Sequence, residues 1–321
     1  MTLVEACRLG AEYALDVASV QALHAGSVNS NFCLTTRSGQ RFFLRVYEEQ
    51  DRVGARRELG SIAHLARLGV PTPAPLERQN GERAAEHAGK PVGLHPWVEG
   101  ESLCLARITP AVAAQLGRAL ARVHVCSREL SDIPEGRFRV ADLLLRLESV
   151  DRLDARFSVD TAHIRERLAH YTRIVDEAGA LPLGLIHGDL FRDNVLFQGG
   201  ELCALLDFES ASRGAFAYDI MVCVHAWCYG DAYELSHVCA LLDGYAQVRP
   251  LESLEWRLLP ALGALAALRF ATTRITDFSL RAAPGQPPLR DYRRFLARLA
   301  AIEAGVLDSV IQERATREKS A

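Results

Sequence analysis

The chain has 321 residues, 49% of them hydrophobic and 24% charged, with 37 basic residues against 40 acidic ones and a net charge of −3, which suits a globular protein of one large or two ordinary domains. The charges are spread without long runs, which weighs against nucleic acid or a membrane surface as partner and leaves a small molecule or another protein. The eight cysteines form no Cys-x-x-Cys pair, no apolar run reaches membrane-spanning length, and Met1-Thr-Leu-Val-Glu-Ala lacks the basic-then-apolar build of a signal peptide, so a cytoplasmic location is expected, without zinc sites or a disulfide scaffold.

Residues 2–17 carry apolar side chains at helical spacing, and the text then turns strand-like. Val20 to His24, Phe32 to Thr36 and Arg41 to Tyr47 predict a three-stranded antiparallel meander, with Gly26 to Asn31 and Ser38-Gly39 as its turns. Arg52 to Leu68 is a predicted helix, closed by Gly69 and a run of prolines. Two short strands follow around Asn80-Gly81 and over Pro91 to Val98. The polar stretch Glu99-Gly100-Glu101-Ser102 marks a boundary, so 1–98 reads as a β-rich lobe and 99–321 as a mainly helical one. Helices are expected over Pro110 to Val125, Val140 to Leu153, Thr161 to Ala178 and most of 216–313, with a frayed tail from Arg314.

The only strands in the second half surround one motif. Leu183 to Ile186 leads into His187-Gly188-Asp189, and Asn194 follows five residues after Asp189. Val195 to Phe197 and Leu202 to Leu206 flank Gly199-Gly200, and Asp207-Phe208-Glu209 comes next. Asp189, Asn194 and Asp207 should therefore sit at strand ends around one hairpin. Phosphoryl transfer from a nucleotide needs such a trio. One carboxylate orients and deprotonates an acceptor hydroxyl, while an amide oxygen and a second carboxylate are hard ligands for magnesium on the phosphates.

A β-rich lobe, a hinge, and a helical lobe with His187-Gly188-Asp189, Asn194 and Asp207-Phe208-Glu209 resemble the protein-kinase-like fold. The likeness is to its small-molecule branch, the aminoglycoside phosphotransferase-like and choline-kinase-like enzymes. It implies an α+β, two-lobed fold, use of ATP and Mg2+, and a set of roles. Asp189 is the catalytic base, and Asn194 and Asp207 are the metal ligands. His187 and the buried Asp219 of Ala217-Tyr218-Asp219-Ile220 hold the catalytic loop. Ser27, Asn29 and Ser30 contact the ATP phosphates from the turn after the first strand. The hinge backbone at Trp97 and Val98 reads the adenine. Where the third strand would carry a phosphate-pairing lysine, this chain has Arg45, which can also reach Glu58 on the next helix. With 35 arginines and two lysines, Lys90 and Lys319, no lysine stands ready to replace it.

Asp189 to Phe197, Ala217 to Cys228 and Leu268 to Arg274 are further similar to the homoserine kinases of this fold. That likeness implies transfer to the hydroxyl of L-homoserine for threonine synthesis, and it places Arg192, Glu209, His225, Trp227 and Arg274 around the acceptor. Arg192 and Arg274 are candidate partners of its carboxylate. Three residues depart from the pattern: Gly188 stands for an expected alanine, Glu209 for an aromatic residue and His225 for an amide. The first is expected to be silent. Another small alcohol (choline, a sugar, a fructosamine or an aminoglycoside) is the alternative acceptor, and a regulatory pseudokinase the alternative class.

Overall fold

Thr2 starts the first helix by a reciprocal cap: its hydroxyl accepts from the Glu5 amide, and the Glu5 carboxylate accepts from the Thr2 amide. The structure, a computed structural model, describes residues 1–23, 28–281 and 289–318. Ten helices and nine strands are assigned among the described residues. In chain order these are α1 Leu3–Glu12, β1 Val17–Leu23, β2 Ser30–Thr36, β3 Arg41–Val46, α2 Arg52–Arg67, β4 Ala85–His87, β5 Lys90–Pro96, α3 Pro110–Cys126, α4 Val140–Leu153 and α5 Ser158–Ala178. They continue with β6 Leu183–Ile186, β7 Val195–Gln198, β8 Glu201–Leu205, β9 Ser212–Ala215, α6 Phe216–Trp227, α7 Leu235–Ala246, α8 Ser253–Arg274, α9 Arg293–Glu303 and α10 Asp308–Glu318. The first helix is shorter than its apolar pattern suggested, because Ala14 takes a left-handed conformation (φ 58°) and turns the chain into β1. The tail is the opposite case, helical to Glu318 where fraying was expected.

The chain divides into two compact units. The first is Met1–Ser102 with Cys126–Ile133 and Asp193–Glu209; the second is Leu103–Val125, Pro134–Arg192 and Ser210–Ala321. This is not the single cut after residue 98 that the sequence suggested, since the β7–β8 hairpin belongs with the N-terminal residues. Backbone bonds show why. The amide of Glu101 donates to Phe197, Phe197 donates back, and Leu205 donates to the Pro71 carbonyl.

In the first unit five antiparallel strands form a sheet in the order β1-β2-β3-β5-β4. The strand period of two sorts β3 by face. Leu44 and Val46 join Ala6, Leu9, Tyr13 and Val17 in a core with α1. Arg45 points to the opposite face, and beyond the strand Tyr47 packs with Ala55 and Leu59 of α2.

In the second unit α8 is the hub, packing against α4, α5, α6, α9 and α10. With the π-helical turn Ile275–Ser279 that continues it, this 27-residue segment is long and apolar enough to cross a membrane by length and composition, which the sequence reading had overlooked. Its apolar window, with a mean hydropathy of 1.3, is 78% buried inside the protein itself, as a core helix requires. Helices α3 and α7 meet backbone to backbone at two glycines. A Cβ on Gly117 would lie 2.1 Å from the Leu241 carbonyl oxygen, and one on Gly244 2.3 Å from that of Ala114. All eight cysteines are free thiols.

Candidate active site

The loop of the second unit that carries Asp189 hangs from a buried carboxylate. Asp219, on the first turn of α6, accepts from the amides of His187 (2.7 Å) and Gly188 (2.8 Å) and from His124 Nε2 (3.1 Å). Burial alone would raise its pKa, but these donors outweigh it and hold the carboxyl below its usual range. Burial lowers the pKa of His124, so the ring is neutral. Its Nε2–H then donates to Asp219 while Nδ1 accepts from the Tyr245 hydroxyl at 2.7 Å. His187 is fully buried, and its Nδ1 accepts from the Asp189 amide at 3.3 Å.

Gly188 is not a silent replacement for alanine. Its φ is +73°, a left-handed conformation that favours glycine, and a Cβ would lie 3.1 Å from the Ser210 carbonyl oxygen. Beyond it the Asp189 side chain is 36% exposed. The residue that faces it was missed in the sequence: Arg269 of α8 donates to the Gly188 carbonyl (2.8 Å) and places Nη1 3.5 Å from Asp189 Oδ1. The guanidinium lies between rings, 3.9 Å from the centre of Phe270 and 4.2 Å from that of Phe138. One signal was available, since Arg269 is the only charged residue between Ala261 and Ala271.

Asn194 and Asp207 belong to the first unit. Asn194 immediately precedes β7, Asp207 lies just beyond β8, and the Leu206 amide donates to the Asn194 carbonyl, which joins the two ends of the hairpin. Asp207 is held at a left-handed φ of +62°. Two oxygen donors without thiolate or imidazole suit a hard cation that keeps water and takes its remaining ligands from phosphates. Among the described residues, no group of three or more His, Cys, Asp and Glu forms a fuller cage.

Arg45 is buried. Its Nη1 donates to Asp207 Oδ1 at 2.8 Å and lies 3.8 Å from Glu58 Oε1, and its Nε donates to Asn31 at 3.4 Å. Burial pulls its pKa down, but Asp207 and Glu58 more than offset this and raise it. Glu58 is more closely held by the Tyr47 hydroxyl (3.2 Å) and the Gln50 amide (2.8 Å) than by Arg45. Burial pushes the Glu58 carboxyl up to about 7.

Several expected contacts are placed otherwise. Ser27 lies outside the described residues. Asn29 donates to Glu209 (2.8 Å) and accepts from the Glu48 amide, and Ser30 donates to Glu48 (2.5 Å), so both tie their own turn. Glu209 is therefore engaged with that turn in the first unit. The Trp97 amide, expected to read adenine, donates to the Arg41 carbonyl at 3.2 Å, and the Arg41 guanidinium covers its ring; Val98 is half-buried.

In the second unit His225 and Trp227 are core residues, not pocket walls. Nε2 of His225 bonds the Gly263 carbonyl and Nδ1 the Tyr233 hydroxyl, both at 2.8 Å, and burial brings its pKa down to about 3. Trp227 is 0% exposed and donates to the Leu190 carbonyl at 2.8 Å. Arg192 is half-exposed, and Arg274 is half-buried with Nη1 donating to the Asp291 carbonyl.

Residues 19–251 match the phosphotransferase enzyme family. A curated homoserine kinase of Parvibaculum lavamentivorans is 35% identical over 288 residues, covering 88% of this chain and 87% of that protein. One of Agrobacterium fabrum is 34% identical over 290 residues, covering 88% and 87%. Among solved structures, an amicoumacin kinase in complex with AMP-PNP, Ca2+ and Ami superposes with a TM-score of 0.71 at 18% identity, covering 95% of this chain and 93% of that one. A spectinomycin phosphotransferase in complex with ADP and spectinomycin gives 0.70 at 13% identity, covering 95% and 98%. Both share the two-lobed, protein-kinase-like fold. The chain belongs to the phosphotransferase enzyme family, in the branch that contains these homoserine kinases.

Proposed function

We propose that the chain transfers the terminal phosphoryl group of ATP to the hydroxyl of L-homoserine, giving O-phospho-L-homoserine for threonine synthesis, with Asp189 as the catalytic base. The observation that carries the reading is the way Asp189 is presented. Two successive amides before it are fixed by Asp219, the carbonyl before it is fixed by Arg269, and its own carboxylate stays partly exposed beside a cation. A base must be anionic before it can accept a proton.

In the reaction the acceptor oxygen forms a bond to the γ-phosphorus as the bond to the ADP oxygen breaks. The hydroxyl proton passes to an Asp189 oxygen. Asn194 and Asp207 would hold magnesium, which when bound supplies neutralising charge on the phosphate oxygens. Arg45, already on Asp207, takes the place of the phosphate-pairing lysine. Arg192 and Arg274 are assigned to the acceptor side, and His225, Trp227 and Glu209 are not.

The test is a coupled ADP-release assay with L-homoserine, choline, kanamycin, methylthioribose and a fructosamine side by side. Turnover is expected with homoserine, and turnover with another acceptor alone would refute the substrate. Asp189→Asn is expected to abolish turnover, so activity near the parent rate would remove the proposed base.

A further inference from the structure

Helix α9 sets Arg294 and Arg298 one turn apart, and Arg274 ends α8. The Arg274 and Arg298 guanidinium groups share one ring, lying 4.4 and 4.6 Å from the centre of Phe295. Arg298 also lies 4.1 Å from the centre of the Tyr229 ring and is only 7% exposed. Its Nε donates to the His225 carbonyl at 3.2 Å and its Nη1 to that of Arg294 at 2.6 Å. Arg274 likewise donates to a carbonyl, that of Asp291, at 3.1 Å.

These partners are dipoles. Among the described residues neither guanidinium is ion-paired with a carboxylate. Burial, joined by repulsion from Arg298, Arg290 and Arg294 on Arg274 and from Arg294 and Arg192 on Arg298, brings both groups down to about 10. Tyr233 and Tyr229 oppose this at Arg298, and Asp291 opposes it at Arg274 only as the weakest influence. Buried cations are ordinarily paired, and a concentration of positive charge that the chain leaves uncompensated suits an anion.

Position narrows the choice of anion. Phe295 stacks on Phe270 with centres 5.0 Å apart, and Phe270 carries Arg269, which reaches Asp189. Phe191, two residues after Asp189, meets both rings edge-on. Two stacked rings, Phe295 and Phe270, thus link the arginine pair to Arg269, which faces the proposed base. The π-helical turn Ile275–Ser279 starts directly after Arg274, and such turns recur at functional sites.

We propose that Arg298, together with Arg274, binds the carboxylate of the amino-acid acceptor and so selects it over an amino alcohol that lacks the carboxylate. The inference rests on the homoserine reading and adds to it a cation that sequence did not single out.

The test compares kcat/KM for L-homoserine and for 3-aminopropan-1-ol, which keeps the hydroxyl and amine but has no carboxylate. Parent, Arg298→Met, Arg298→Lys and Arg274→Met proteins are assayed, each with a thermal melt. Arg298→Met is expected to lower kcat/KM for homoserine about 10- to 100-fold while leaving that for the amino alcohol within about threefold. Arg298→Lys should fall between, because lysine keeps the charge but not the fork.

An equal loss on both acceptors, or an undiminished preference for homoserine, overturns the proposal with the substrate reading intact. If Arg298→Met does not fold, Arg274→Met decides by the same criterion. A parent enzyme that turns over another acceptor but not homoserine overturns both.

Discussion

Arg269 Nη1 stands 3.5 Å from Asp189 Oδ1 and 2.8 Å from the Gly188 carbonyl oxygen, so one guanidinium fixes the backbone just before the proposed base and pairs its charge with the side chain. Its 5% exposure and the rings on either side hold it there. Arg269→Met should lower kcat about 10- to 100-fold, the loss of a charged hydrogen bond, with KM for ATP changed less than about threefold. Arg269→Lys should recover part of the loss. Steady-state kinetics on the three proteins checks this, and an unchanged kcat in both variants would leave Arg269 a packing residue.

Gly188→Ala should destabilise the chain by about 1 to 2 kcal/mol and lower kcat, because φ +73° is unfavourable for a side chain and Ser210 crowds the new Cβ. Denaturant unfolding and an initial-rate assay measure the two effects. An alanine variant with parent stability would mean that the loop relaxes without strain.

The fold was legible where the chain's periods were clean. Alternation in β3 put Arg45 on the opposite face from Leu44 and Val46, and the spacing from Asp189 to Asp207 pointed to phosphoryl transfer. Arg269 and Arg298 were hidden for a physical reason. Each acts on groups far away in sequence, Gly188 and His225, and what marks them is burial without a carboxylate bonded tightly to them, which spacing does not encode. His225 and Trp227 were misjudged in the opposite direction. A polar ring on an apolar helix reads as a ligand-binding group until its nitrogens are seen to be bonded within the core.

Glu58 gives a pH dependence with a definite sign. Its carboxyl is raised from 4.5 to about 7 chiefly by burial, so between those pH values the folded chain binds a proton that the unfolded chain has released. Stability should therefore fall as pH rises from about 4.5 to 7 and level off above, by about 3 kcal/mol in all. Glu58→Gln should flatten that slope. Melting temperatures of both proteins across the window decide it, and parallel curves would assign the slope to other groups.

Trp227→Phe separates a core role from a pocket role. The indole N–H donates to the Leu190 carbonyl inside a fully buried site, so the variant leaves that carbonyl unpaired one residue after Asp189. It should lose about 1 to 3 kcal/mol of stability and lower kcat moderately, with KM for homoserine within about twofold of the parent. A large rise in that KM at unchanged stability would put the indole against the acceptor after all.

The pair of Arg45 and Asp207 makes the phosphate side testable without touching the base. At 2.8 Å the guanidinium holds an aspartate whose φ of +62° is unusual for a side-chain-bearing residue. An ammonium in its place has one point of charge where the fork spans Asp207, Glu58 and Asn31. Arg45→Lys should therefore change KM for ATP, by about 3- to 30-fold, and leave KM for homoserine unaltered. Arg45→Met should go further and destabilise the chain by about 3 kcal/mol, because Glu58 and Asp207 lose the cation between them. Nucleotide titrations with a melting assay read both effects, and an unaltered ATP affinity in the lysine variant would make Arg45 a structural clamp that phosphates never meet.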